Sequence, residues 1–170
     1  MAGLVLARAG VRVRIVDRAR FPREKLCGDT LNPGALVILR RLGLEGAASD
    51  GVRVDGMVVT AGSGVRVVGR YGDDVIGRSL RRRVLDARLL AAAAAAGVEV
   101  EEGVLVRGPL VSGGVVKGLV VAGRDGRSLP MQAALTIAAD GAHSRLARAL
   151  NLARSEKRPR RWAVGACFED

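Results

Sequence analysis

The segment AGLVLARAGVRVRIVD, residues 2–17, constrains the fold more tightly than any other stretch of the chain. Residues 2–9 read as the later part of a helix, and Gly10 falls where a left-handed residue would end it. Residues 11–16 follow as a strand of valines, arginines and an isoleucine, closed by Asp17. The order helix, tight turn, strand and acid matches the second half of a βαβ unit of the kind that binds a dinucleotide. There the carboxylate at the strand's end accepts hydrogen bonds from ribose hydroxyls. Such an acid lies about 20 residues beyond a G-x-G-x-x-G fingerprint, and Gly3 and Gly10 do not form one. The first strand and its glycine loop are therefore expected to fall ahead of Met1. Taken alone, Asp17 is an acid in an ordinary strand-end turn, so the rest of the chain has to decide.

That remainder alternates helices with short strands. Asn32 and Pro33 are a helix start, because asparagine caps and proline at the first helical position loses no needed N–H. The helix is expected to reach Leu42, with Gly43 past its end, and Leu36, Leu39 and Leu42 lie at helical spacing. Residues 57–60 and 65–68 are β-rich runs separated by glycines and suggest a small sheet. Residues 82–96 form a helix with Val84, Leu85, Leu89 and Leu90 on one face, closed by Gly97 before a strand at 98–100. Residues 104–112, 115–122 and 128–132, joined by Gly113-Gly114 and Asp125-Gly126, make an antiparallel meander. An apolar strand at 134–138 is expected next, then the turn Asp140-Gly141 and a helix over 144–150. Residues 155–161 read as a polar connection, and residues 162–168 as the beginning of another strand.

Composition narrows the function classes. Aromatic residues make up 2% of the chain while glycines number 23, which suits an α/β protein of tight turns and aliphatic packing. Two cysteines make no disulfide framework, and no secretory signal opens the chain, so a reducing cytosol is expected. No apolar run is long enough to cross a bilayer. The net charge of +11 invites a nucleic-acid reading. Its basic clusters at Arg81-Arg82-Arg83 and at residues 157–161 lack interleaved aromatic residues, however, and neither zinc spacing nor an RNA-recognition signature accompanies them. A solvated basic face is the simpler reading.

Four segments in order, VRIVDRARFPREKLCGD, NPGALVILRRLGL, LRRRVLDARLL and IAADGAHSRLARAL, resemble the geranylgeranyl reductase family of FAD-dependent oxidoreductases. This family is related to p-hydroxybenzoate hydroxylase and the flavin halogenases. The resemblance implies an α/β fold: an incomplete FAD-binding Rossmann-like domain of three layers, an antiparallel β-meander and part of a second, β-rich substrate domain. It assigns residues 1–50 and 81–154 to the FAD-binding domain. Residues 51–80 become a β-rich insertion that starts the substrate domain, and 155–170 its truncated continuation.

The resemblance also implies roles. Asp17, with Arg18 beside it, would meet the adenosine ribose of FAD. Cys27 and Gly28 match a K-x-C-G motif that lies against the flavin, where a bulkier residue would collide, and Thr30 would donate at the same edge. A buried structural thiol is the plainer reading of Cys27. Arg82 matches an arginine whose guanidinium reaches the cofactor, while Arg81 and Arg83 are expected in solvent. Val106 would meet adenine through its backbone. Asp140 and Gly141 resemble a second dinucleotide signature leading into a helix whose first amides favour a phosphate. His143 is expected at the surface or in a cap rather than as a general base. No catalytic residue is assigned. The implied chemistry is hydride transfer from NAD(P)H through FAD to carbon-carbon double bonds of an isoprenoid chain, with an isoprenoid lipid or other small molecule as substrate and peripheral membrane contact as a partner. A monooxygenase of the same fold and a non-enzymatic basic binding module are the alternatives. The lone Trp162 and the lack of a tryptophan-rich signature speak against halogenation. Without the glycine loop the phosphates lose their amide cradle, so the chain alone is expected to bind FAD weakly or not at all.

Overall fold

The computed structural model describes residues 1–27, 29–123 and 125–153. In chain order its elements are helix α1 (Ala2–Arg8), strands β1 (Arg14–Asp17) and β2 (Thr30–Leu31), helix α2 (Pro33–Arg41), and a 3-10 turn (Glu45–Ala48). Strands β3 (Val52–Val54), β4 (Gly56–Thr60), β5 (Arg66–Arg70) and β6 (Gly77–Ser79) lead to helix α3 (Arg82–Ala95). Strands β7 (Glu99–Glu102), β8 (Val106–Ser112), β9 (Val115–Ala122) and β10 (Ser128–Gln132) precede helix α4 (Arg145–Ala149). These elements form two units: one from Met1–Arg14 and Phe21–Glu99, the other from Ile15–Arg20 and the described residues from Val100 onward.

The first unit is organised by its helix ends. Asn32 Oδ1 accepts the Ala35 N–H at 2.8 Å, and Pro33 takes the first helical position, so α2 starts where its residues require. Gly43 and Gly97 sit past α2 and α3 with φ of +63° and +91°, a left-handed bend that glycine adopts without a Cβ penalty. The core of this unit is Leu4 of α1, Leu39 of α2, Leu44, Ala48, Leu85 and Ala93 of α3, and Val98. Ala93 is 1% exposed, and α1 packs against α3 across this small-residue surface. Arg88 of α3 holds the 3-10 turn: it donates to Ala47 O at 3.1 Å and, in a fork, to both oxygens of Asp50 at 2.5 and 2.8 Å. Strand β6 pairs antiparallel with β2 on one side and β3 on the other. Among the described residues the hairpin β4–β5 pairs only with itself, Val58 opposite Val68 and Val59 opposite Val67, and its valines on both faces are exposed.

In the second unit β1 and β7 are hydrogen-bonded neighbours, and Asp17 O accepts the Val104 N–H at 2.9 Å just beyond the ladder. The meander forms as its turns dictate, in the order β10-β9-β8 with antiparallel pairing throughout. Helix α4 packs on β8, with Leu146 and Val121 buried.

One expected strand is absent. Residues 134–138 join no sheet; the last ladder bond before them runs from Ala133 N to Lys117 O at 2.9 Å. Leu135 is 73% exposed and Ile137 54%. An apolar run supplies side chains suited to a pleat, but a strand exists only where a neighbour takes its backbone groups, and no described strand lies beside this one. Strand β1 likewise starts at Arg14 rather than at Val11, and β8 at Val106 rather than at Val104. The connection at 155–161 and the strand expected at 162–168 lie outside the described residues. Among the described residues no helix is long and apolar enough to cross a membrane.

Candidate functional site

In the first unit the start of α3 meets the loop that follows Arg20. Arg82 and Asp86 stand four residues apart and so share a helix face. Arg82 Nε donates to Asp86 Oδ1 at 3.0 Å and Nη2 to Oδ2 at 2.9 Å, a side-on fork. The remaining guanidinium nitrogen, Nη1, lies 3.6 Å from the sulfur of Cys27, a thiol exposed to solvent. Burial works against the charge on Arg82, but the Cys27 sulfur and the Asp86 carboxylate outweigh it and raise its pKa. Arg23 approaches the same carboxylate, Nη2 to Oδ2 at 3.5 Å, and stacks its guanidinium 4.9 Å above the Phe21 ring.

Asp29 anchors this loop. Its φ is +48°, its carbonyl accepts the Leu80 N–H at 2.8 Å, and its Oδ1 accepts the Arg82 N–H at 3.1 Å. The N-cap residue of α3, Arg81, provides no side-chain cap, and Asp29 replaces it from 53 residues away. Thr30 is exposed in β2, in register with Ser79. Gly28 lies outside the described residues. Asp29, Asp86 and Arg23 were not singled out from sequence. The four-residue spacing of Arg82 and Asp86 could have revealed Asp86, whereas nothing local marks Asp29 or Arg23.

In the second unit Asp17 ends β1 half-buried, and its Oδ1 accepts the Ala19 N–H at 2.9 Å. The bond from Val104 N to Asp17 O brings this strand end within two residues of Val106, the first residue of β8 and the register partner of Val121. Arg18 is exposed in the same turn. Further along, Gly141 has φ of +86° and accepts the Ser144 N–H at 2.9 Å, so Asp140-Gly141 does turn into a helix. The first amides of that helix are taken internally: Arg145 N donates to Asp140 Oδ2 at 2.7 Å and Ala147 N to Ser144 Oγ at 3.0 Å. Burial pushes the Asp140 pKa up, but the Ser144 hydroxyl and the backbone amides prevail and hold it below the ordinary value. His143 Nδ1 accepts from Arg148 Nη2 at 2.8 Å at the surface. The sequence-derived residues thus fall into two groups: Cys27, Thr30 and Arg82 in the first unit, Asp17, Arg18, Val106, Asp140 and Gly141 in the second. Cys27 touches Arg82, and Asp17 lies near Val106. Among the described residues no group of three His, Cys, Asp or Glu could hold a metal ion.

The helices, short strands and meander make this an α/β protein. Residues 1–169 match the family described as FAD binding domain, and the chain belongs to it. Among curated proteins it is similar to the menaquinone reductase of Mycolicibacterium smegmatis, 47% identical over 51 residues that cover 30% of this chain and 12% of that protein. It is also similar to squalene monooxygenase SE1 of Panax ginseng, 33% identical over 152 residues that cover 85% of this chain and 28% of that protein. Among solved structures, the flavin-dependent halogenase CmlS matches with a TM-score of 0.75 at 27% identity, covering 88% of this chain and 28% of that one. A geranylgeranyl bacteriochlorophyll reductase-like protein from Thermoplasma acidophilum matches with a TM-score of 0.62 at 22% identity, covering 73% and 32%. The chain therefore spans less than a third of the length of these proteins. They are named as reductases, a monooxygenase and a halogenase, and what they share with this chain is the FAD-binding family at large.

The residues present fit part of FAD. Asp17 commits one carboxylate oxygen to Ala19, and among the described residues the other has no partner, which suits a ribose hydroxyl. A diphosphate needs several convergent N–H donors, and the amides at the start of α4 are already given to Asp140 and Ser144.

Proposed function

We propose that this chain is the FAD-binding part of an oxidoreductase that reduces carbon-carbon double bonds in an isoprenoid-bearing molecule, with NAD(P)H as the source of electrons. The observation that carries this reading is the exposed Cys27 sulfur 3.6 Å from Arg82 Nη1, in a segment that resembles reductases of this kind. The names of two similar proteins, menaquinone reductase and geranylgeranyl bacteriochlorophyll reductase-like protein, support it, since both point to molecules with polyprenyl chains.

When bound, FAD would supply the hydride chemistry. Asp17 would hold the ribose through its second carboxylate oxygen, with Arg18 beside it and the Val106 backbone next to the adenine. Cys27, Gly28 and Thr30 would line the flavin edge, with a side chain small enough for close approach. Arg82 would present a fixed cation toward the polar edge or the diphosphate. Asp140 and Gly141 would bend the chain beneath the second signature.

A monooxygenase is the second reading, favoured by the match to squalene monooxygenase across 85% of this chain. Product analysis separates the two. A protein carrying this chain over the full length of its relatives would be given FAD, NAD(P)H and a polyprenyl quinone. Product enriched by two hydrogens with oxygen excluded supports the reductase; product that gains an oxygen atom only in air overturns it in favour of the monooxygenase.

A further inference from the structure

Asp86 received no role in the reading above, yet the orientation of Arg82 depends on it. A guanidinium has three nitrogens in one plane, and Asp86 occupies two of them, Nε at 3.0 Å and Nη2 at 2.9 Å. Both carboxylate oxygens are used, so the fork can neither rotate about its axis nor slide along the helix without losing a bond. The third nitrogen is thereby aimed away from the helix, and what it meets is the Cys27 sulfur. The Asp86 side chain is 13% exposed and that of Arg82 28%, so the pair is shielded enough for the geometry to persist. Arg23 Nη2 also approaches Asp86 Oδ2, at 3.5 Å. Asp29 fixes the backbone beneath Arg82, Oδ1 to N at 3.1 Å.

We propose that Asp86 is a positioning residue that holds the guanidinium of Arg82 at the Cys27 thiol and so sets the reactivity of that thiol. This deepens the proposed function, and it rests on that reading only for its relevance to the flavin edge. The charged groups carried by the start of α3 and by the loop enter the balance. From α3 come Arg82, Asp86 and Arg83, the last paired with Glu24 at 3.2 Å; from the loop come Arg23, Lys25 and Asp29. A cation held beside a thiol favours the thiolate, the form that reacts with alkylating agents. A carboxylate beside the same cation would weaken that effect if it acted through charge alone. A positioning role and a purely electrostatic one therefore predict opposite signs when Asp86 is neutralised.

The test is the pH profile of iodoacetamide alkylation of Cys27, followed by mass spectrometry in a Cys167→Ser background, with circular dichroism confirming the fold of each variant. Arg82→Met, which removes the cation, should slow alkylation at pH 7 roughly threefold to tenfold. Asp86→Asn should slow it in the same direction, and Asp86→Glu, which keeps a carboxylate, should recover part of the rate. An Asp86→Asn profile that superimposes on the parent, or that alkylates faster, overturns the proposal, as does an Arg82→Met profile that does not move. Should Asp86→Asn fail to fold, Asp86→Ser takes its place: slowing toward the Arg82→Met profile supports the proposal, and coincidence with the parent or faster alkylation overturns it. No flavin takes part, so failure of the chain to bind FAD leaves this result standing, and failure here leaves flavin binding untouched.

Discussion

Helices α3 and α4 both start on an aspartate, and they obtain it in opposite ways. At α4 the donor and acceptor are five residues apart: Asp140 Oδ2 takes the Arg145 N–H, and the Ser144 hydroxyl caps Ala147. At α3 the acceptor, Asp29, arrives from 53 residues upstream and brings with it the loop that carries Cys27. The chemistry is the same, a carboxylate satisfying an orphan amide at the positive end of a helix. The consequence differs. A local cap stabilises one short turn, whereas a distant one also closes a loop and fixes a thiol against a guanidinium. The contact between Cys27 and Arg82 therefore comes as a by-product of helix capping.

The comparison can be broken by removing each cap. Asp29→Ala should lower the unfolding free energy by about 2 kcal/mol, the lost cap plus the strain of a left-handed alanine at φ +48°. It should also expose the Cys27 loop to proteolysis before global unfolding, which limited digestion would detect. Asp140→Ala should cost about 1 kcal/mol by urea denaturation, with no change at Cys27. If the two variants proved equal in size and both left the loop protected, the distinction between a local and a distant cap would fall.

Acid sharpens the comparison with a smaller effect. The Arg88 fork lowers the Asp50 pKa from 3.8 to about 2, and hydrogen bonds also hold Asp140 below its ordinary value. A carboxylate with a lowered folded pKa stabilises the fold above its unfolded pKa and loses that contribution as pH falls through the folded one. The urea midpoint should therefore drop between pH 3.8 and about 2, and Asp50→Asn should flatten part of that slope. Both groups are largely solvated, so the effect should be modest.

Sequence revealed the features that are local. Asn32-Pro33, Gly43, Gly97, the glycine turns of the meander and the Ser144 cap each depend on residues within four positions, and each element forms where those residues place it. The apolar run at 134–138 shows the limit. Its composition suits a strand, but pairing is a property of two segments, and the second cannot be read from the first. The site divides in the same way. The Cys27 and Arg82 motifs were legible as patterns, and the contact between them was not, because it passes through Asp29 and Asp86. The sequence told which residue types mattered without telling what holds them in place.

The clasp of Arg88 on Asp50 and Ala47 fastens the two ends of everything from β3 to β6. Between those ends the chain makes an excursion whose turn between β4 and β5, at Gly62-Ser63, is exposed. A reporter or affinity peptide spliced there would be carried on a stalk already tied off at its base. The protein thus offers a handle at a place where extra residues need not be heard by the thiol and its arginine.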